Sequence, residues 1–254
     1  MSNNALVAVI FSPHPDDECI IGALPLRLAR ECGVRVVNVA VTLGSLKERR
    51  AERLRELQES CELLGFELII PGADGLDNVN RESRAQEPVA WAGKLALIRE
   101  VFEQCQPGLI FFPHGRDWNS THEGTHCLVM DSLRTLPRSF QVVAVETEFW
   151  HPLYSPNLMV EVSPRQVAEQ MAAVSCHRGE IMRNPYHLGL SAWMRDNARR
   201  GAEVVGGQGC VSSGCEFATL YRQFLWWNGQ VEPVVARRIL RVGARPVIDH
   251  RGIA

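Results

Sequence analysis

Between residues 5 and 112 the chain repeats one unit, a short branched apolar run followed by a longer stretch with helical spacing, and few folds accept that alternation. The apolar runs are residues 5–11, 34–41, 66–70 and 109–112, each with the length and branching of a buried strand. The stretches 19–29, 47–64 and 89–104 read as helices. In the second of these, Leu54, Leu57, Cys61 and Leu64 recur at helical spacing, and Gly65 stands where a C-cap belongs. Strands joined through helices lie parallel, so the pattern predicts an α/β protein with a Rossmann-like, doubly wound, mainly parallel sheet. Further on, 142–145 and 158–162 read as a fifth and a sixth strand, about 164–177 as a helix and 216–227 as an edge strand. The polar stretch 77–87 reads as a surface loop or lid. The expectation is a single α/β domain over 1–254, with 178–254 as a C-terminal extension of it.

Composition narrows the partners. A net charge of −2 gives no electrostatic footprint for nucleic acid or an anionic membrane. No apolar stretch reaches transmembrane length. No basic n-region precedes the first strand, so a secretory signal is not expected. Eight scattered cysteines without a Cys-x-x-Cys pair look like free thiols rather than a disulfide framework, which suggests a cytoplasmic protein. Trp226-Trp227 offers an apolar patch for part of a ligand or for a subunit contact, which leaves a homo-oligomer open.

Chemistry concentrates at two strand ends. The first strand runs into Ser12-Pro13-His14-Pro15-Asp16-Asp17-Glu18, which places one imidazole and three carboxylates at the edge where open α/β sheets bind ligands. A lone Asp-Asp pair is more often a helix cap. Here the carboxylates repel one another beside an imidazole, and a divalent cation accepting N and O ligands relieves that. The fourth strand runs into His114, His122 and His126, with a helix expected to open near His126. A single loop histidine is usually a solvated side chain. Strands one and four, however, are the expected neighbours at the switch point, so His14, Asp17 and one late histidine can converge on an ion. Two histidines and a carboxylate are the ligand set of a catalytic zinc site.

These motifs resemble the PIG-L/LmbE family of zinc-dependent N-deacetylases, which remove the acetyl group from N-acetylglucosaminyl conjugates. Arg53-Leu54-Arg55-Glu56-Leu57 before Leu63-Leu64-Gly65, and Asp74-Gly75 after the third strand, extend the resemblance over roughly residues 5 to 180. The family shows two histidines separated by two residues, the first facing substrate and the second binding metal; His122 and His126 are separated by three. The resemblance implies Zn2+ held by His14, Asp17 and His126, with Asp16 as general base and His122 as the second catalytic group. It further implies Arg53 and Asp74 on the substrate, an amino-sugar conjugate. A zinc ion would acidify the attacking water and polarise the acetamide carbonyl. Asp16 would take the water's proton, and a protonated His122 would stabilise the oxyanion or protonate the leaving nitrogen.

Two rival readings exist. His122-Glu123-Gly124-Thr125-His126 matches the His-Glu-x-x-His signature of zinc metalloproteases, with Glu123 as base. Gly124 weakens a helix there, residues 117–120 read as loop, and the acidic turn after the first strand is left unexplained. A non-catalytic carbohydrate-binding protein is the other, and it would tolerate loss of one of the acids, all of which are present.

Overall fold

A computed structural model describes residues 6–207, 214–249 and 252–253. The chain runs β1 (Val7–Ser12), α1 (Asp17–Ile20), α2 (Ala23–Cys32), β2 (Arg35–Ala40), α3 (Arg50–Leu64), β3 (Glu67–Ile69), α4 (Arg81–Gln86) and α5 (Pro88–Cys105). It continues through β4 (Leu109–Pro113), α6 (Ser120–Thr135), β5 (Val142–Thr147), β6 (Leu158–Val162), α7 (Pro164–Ser175), α8 (Arg178–Ile181) and α9 (Tyr186–Val204). Three further strands of the main sheet follow, β7 (Phe217–Trp227), β8 (Gln230–Pro233) and β9 (Arg238–Leu240).

The main sheet has the order β3-β2-β1-β4-β5-β7-β6-β9. From β3 to β5 every pairing is parallel. The chain leaves β1 toward β2 on one side and returns to pair β4 on the other, so the carboxyl ends of β1 and β4 flank the switch point. Alternate residues of β1 serve two cores. Ala8 and Ile10 pack with side chains of α2, α3 and α7, while Val7, Val9 and Phe11 pack with those of α5 and α6. Burial on both faces is why the strand reads as a continuous apolar run instead of an alternating one.

The C-terminal part departs from the expected layout. β7 is no edge strand: it lies between β5 and β6, antiparallel to both. Trp226 is buried in the core on the α5 and α6 side and Trp227 alone is exposed, so the pair makes no two-tryptophan patch. Residues 77–87 are not all loop, because α4 forms there with Asn80 as its N-cap, its side chain accepting the Ser83 N–H at 2.8 Å. Gly22, between α1 and α2, has φ 96°, and a Cβ there would fall 2.7 Å from the Tyr221 hydroxyl, so β7 and the first turn touch at a glycine. Among the described residues no helix is long and apolar enough to cross a membrane.

Candidate metal centre

The turn after β1 brings its side chains together through the backbone. The His14 N–H donates to Asp17 Oδ2 at 2.8 Å, and His14 Nδ1 lies 3.3 Å from the same oxygen. Opposite them, α6 begins earlier than expected. Asn119 is its N-cap, with Oδ1 accepting from the N–H of Thr121 at 2.9 Å and of His122 at 3.4 Å. Gly124 fits inside this helix because α6 presses on residues 79 and 80, where a Cβ would meet the Val79 carbonyl oxygen at 2.2 Å. The first turn of α6 thereby carries His122 to Asp17, with Nε2 3.3 Å from Asp17 Oδ2. The rings of His14 and His122 are 5.2 Å apart, and donor atoms of His14, Asp17 and His122 all lie within 4.8 Å of one another.

The electrostatics follow from that crowding. Burial would raise Asp17, but His122 and His14 beside it outweigh burial and hold its carboxyl far below the usual range. Burial likewise depresses His122, yet Asp17 and Asp117 push it up to about 9. His122 is fully buried, and both its ring nitrogens lack a hydrogen-bond partner among the described residues. A buried imidazole nitrogen 3.3 Å from a carboxylate oxygen, with a second imidazole alongside and no hydrogen bond, fits a cation ligand. Asp117 Oδ1, 3.6 Å from Nδ1, is the carboxylate that orients such a ring.

Asp16 lies beside this cluster in an unusual conformation, φ 108° and ψ −30°, a region that costs a non-glycine residue about 1–3 kcal/mol. Its N–H donates to Glu18 Oε2 at 2.9 Å. The other oxygen of Glu18 is gripped by the Ser60 hydroxyl at 2.6 Å, His177 Nε2 at 2.7 Å and the Cys19 thiol at 3.1 Å. Burial opposes ionisation of Glu18, but His177, Ser60 and Cys19 hold it below the usual carboxylate range. Asp16 itself is raised well above that range by burial and by Asp17, against the pull of Arg53, whose Nη2 is 3.9 Å from Oδ2. Arg53 Nη2 also donates to the Pro15 carbonyl at 2.8 Å, so α3 clamps the turn from outside.

His14, Asp16, Asp17 and His122 line a cavity of about 360 Å³ that Asn119 and Arg53 also border. Its outer wall is aromatic, with Phe149, Trp150, Tyr186 and Trp193, and Trp150 meets Tyr186 edge-on at 5.9 Å.

Not every expected residue arrives. His126, expected to complete the metal site with His14 and Asp17, lies one helical turn beyond His122 and faces β5. Its Nδ1 is 3.0 Å from the Pro113 carbonyl and 3.6 Å from Glu146 Oε1, and burial depresses it to about 4. There it borders a separate cavity of about 440 Å³ with His114, Glu146 and Arg222. Of the two α6 histidines it is His122, and not His126, that lies with His14 and Asp17. Asp74 is 69 % exposed and 3.8 Å from Arg50, outside the cavity lining. Glu123 pairs with Arg81 at 3.1 Å and belongs to no cluster of His, Cys, Asp and Glu among the described residues. From sequence Asn119, Asp117 and His177 carry no assigned role, and Glu18 counts only as one of the three acids of the turn. An asparagine before Ser120-Thr121 is a cap signal that was available, whereas nothing local marks His177 as the partner of Glu18.

Fold and site together define a Rossmann-like α/β protein with a His/Asp/His cluster, its Asp17 and His122 buried, in the crevice between β1 and β4. Residues 9–133 match the family described as PIG-L: GlcNAc-PI de-N-acetylase, and this segment of the chain belongs to that family. No curated protein sequence matches the chain. Among solved structures it is similar to N,N'-diacetylchitobiose deacetylase from Pyrococcus horikoshii in complex with its inhibitor MPG, with TM-score 0.61 and 18 % identity, covering 87 % of this chain and 84 % of that one. The zinc-inhibited form of teicoplanin deacetylase Orf2 matches with TM-score 0.62 and 14 % identity, covering 86 % and 97 %. GalB, the 4-carboxy-2-hydroxymuconate hydratase from Pseudomonas putida KT2440, matches with TM-score 0.58 and 17 % identity, covering 86 % and 95 %. A hydratase beside two deacetylases means that the fold alone leaves the reaction open and the site must carry it.

Proposed function

We propose that the protein is a metal-dependent amidohydrolase that removes the N-acetyl group from an N-acetylglucosamine-type sugar or sugar conjugate. The observation that carries this reading is the buried His122, its two ring nitrogens without hydrogen bonds, facing Asp17 and His14 beside the raised carboxyl of Asp16. His14, Asp17 and His122 would hold the ion; zinc suits their mixed N and O donors. When bound, such an ion polarises an amide carbonyl and acidifies water.

The chain's own residues do the rest. Asp16 accepts a proton from water as the water oxygen bonds to the acetamide carbon. It returns that proton to the nitrogen as the C–N bond breaks and its electron pair leaves with the amine. A carboxyl raised by burial is matched to both halves of this shuttle. Arg53 steadies Asp16 and borders the cavity, where it meets sugar hydroxyls or an anionic aglycone. The aromatic wall suits the apolar faces of a sugar ring.

The test is release of free amine from N-acetylglucosamine and N,N'-diacetylchitobiose by zinc-loaded protein, with metal content measured on the same sample. Activity that chelation removes and zinc restores supports the reading. Full activity in metal-free protein overturns it, and so does tight sugar binding with no amine released by the zinc-loaded protein.

A further inference from the structure

Breaking an acetamide puts negative charge on its oxygen, and some fixed donor must face it. Among the described residues only His14 and His122 supply imidazoles to the cavity lining, and both belong to the proposed ligand set. Arg53 is committed to the Pro15 carbonyl, with Asp16 and Glu180 within 4 Å. Arg183 pairs with Glu180, and 62 % of its side chain is exposed.

Asn119 is different. It borders the cavity three residues before His122, and the structure leaves no choice about how its amide is turned. Its oxygen must face the backbone N–H groups of Thr121 and His122, because it caps α6. The NH2 end therefore points away from the helix, and no described residue accepts a hydrogen bond from it. Its backbone is pinned too, the Asn119 N–H donating to Asp117 Oδ1 at 2.9 Å. Asp117 is the residue that also orients His122. An amide locked this way is a preorganised neutral donor, which neither needs protonation nor reorganises during reaction.

We infer, on the deacetylase reading above, that Asn119 is a catalytic residue whose Nδ2–H donates to the acetamide oxygen as negative charge grows there. As water's oxygen bonds to the carbonyl carbon, the C=O π pair moves onto oxygen and is held by this hydrogen bond. When the pair returns, the C–N bond breaks and the amine leaves with the proton carried by Asp16. The role that sequence pattern suggested for a charged His122 falls to an uncharged amide at the other end of the same helical turn.

The experiment separates cap from donor. Serine and aspartate cap helices as well as asparagine but cannot present the amide. In Asn119→Ser and Asn119→Asp, assayed as zinc-loaded full chain on N-acetylglucosamine, melting temperature and zinc content stay near wild type. The kcat falls by roughly 10²–10³, the usual effect of losing one oxyanion donor, while KM changes little. A second readout needs no turnover: the methylphosphonamide of glucosamine, a tetrahedral mimic, loses about 100-fold in affinity in both variants, while binding of N-acetylglucosamine is unchanged. Wild-type kcat in Asn119→Ser overturns the donor role and leaves the deacetylase reading standing. Zinc-loaded wild-type protein that neither releases amine nor binds the mimic overturns both.

Discussion

Glu18 is the residue on which the geometry of the first turn depends most, and Glu18→Gln tests it with almost no change of shape. The carboxylate accepts four donors, the Asp16 N–H on one oxygen and Ser60, His177 and Cys19 on the other. A glutamine has one acceptor oxygen. If that oxygen stays toward Ser60, His177 and Cys19, its NH2 meets the Asp16 N–H, and a buried backbone donor is stranded at about 1–3 kcal/mol. If the amide turns over, Asp16 is satisfied but three donors face the NH2. Ser60 and Cys19 can rotate their protons away, whereas His177 must move its proton to Nδ1, an atom buried without a partner. Either way, bonds that were charge-assisted become neutral and about half as strong. The total is about 2–4 kcal/mol, which for a chain of this size lowers Tm by roughly 5–15 °C. Activity falls as well, because the strained φ of Asp16 relaxes once its N–H is released, and the carboxyl leaves its place beside His14, Asp17 and His122. Calorimetry, zinc analysis and amine release on one preparation check this: lower Tm, kcat down at least tenfold, zinc retained. A Glu18→Gln protein with wild-type Tm and kcat would mean that the network neither holds the turn nor places the Asp16 carboxyl.

The remaining predictions each isolate one group. Asp16→Asn keeps zinc but loses two or more orders of magnitude in amine release, whereas Glu123→Gln stays within a few-fold of wild type; the opposite ranking would revive the metalloprotease reading. His122→Ala loses zinc while His126→Ala keeps it, measured by elemental analysis after dialysis; retention in the first and loss in the second would put His126 at the ion. Glu146, pushed up to about 7 by burial, makes a pH-dependent contribution. Between its ordinary value of 4.5 and about 7 the folded chain holds a proton that the unfolded chain has released. Wild type therefore loses stability relative to Glu146→Gln as pH rises through that window, by at most about 3 kcal/mol at 1.36 kcal/mol per unit. Denaturant titrations of both proteins at pH 5 and pH 8 read this difference, and a gap that does not widen with pH would refute it.

The half of the chain that builds the crevice was legible because its signals are local. A strand buried on both faces is a run of branched residues, and β1, β2 and β4 are such runs; their helices repeat leucines at helical spacing. The turn from His14 to Glu18 was legible for the same reason, since residues two or three apart meet whatever the rest of the chain does. β7 was harder to place. Its apolar content suits an edge or an interior strand equally, and its position between β5 and β6 follows from how residues 158–162 return, a choice no single segment encodes.

The two histidines of α6 fell between these cases. Composition puts both within reach of the first turn, and only the phase of the helix chooses between them. That phase is set where the helix starts, at Asn119, and the cap is decided by one side-chain oxygen meeting the N–H groups of Thr121 and His122. A helix starting near His126, the sequence expectation, would leave His122 in a loop and turn His126 toward the first turn. Starting it at Ser120 turns His122 onto Asp17 and carries His126 a turn further, to Pro113 and Glu146. A difference of a few residues in one helix boundary thus decides which imidazole meets Asp17 and which meets Glu146. The same boundary turns the Asn119 amide toward the cavity, so the proposed ligand and the proposed oxyanion donor both rest on where one helix starts.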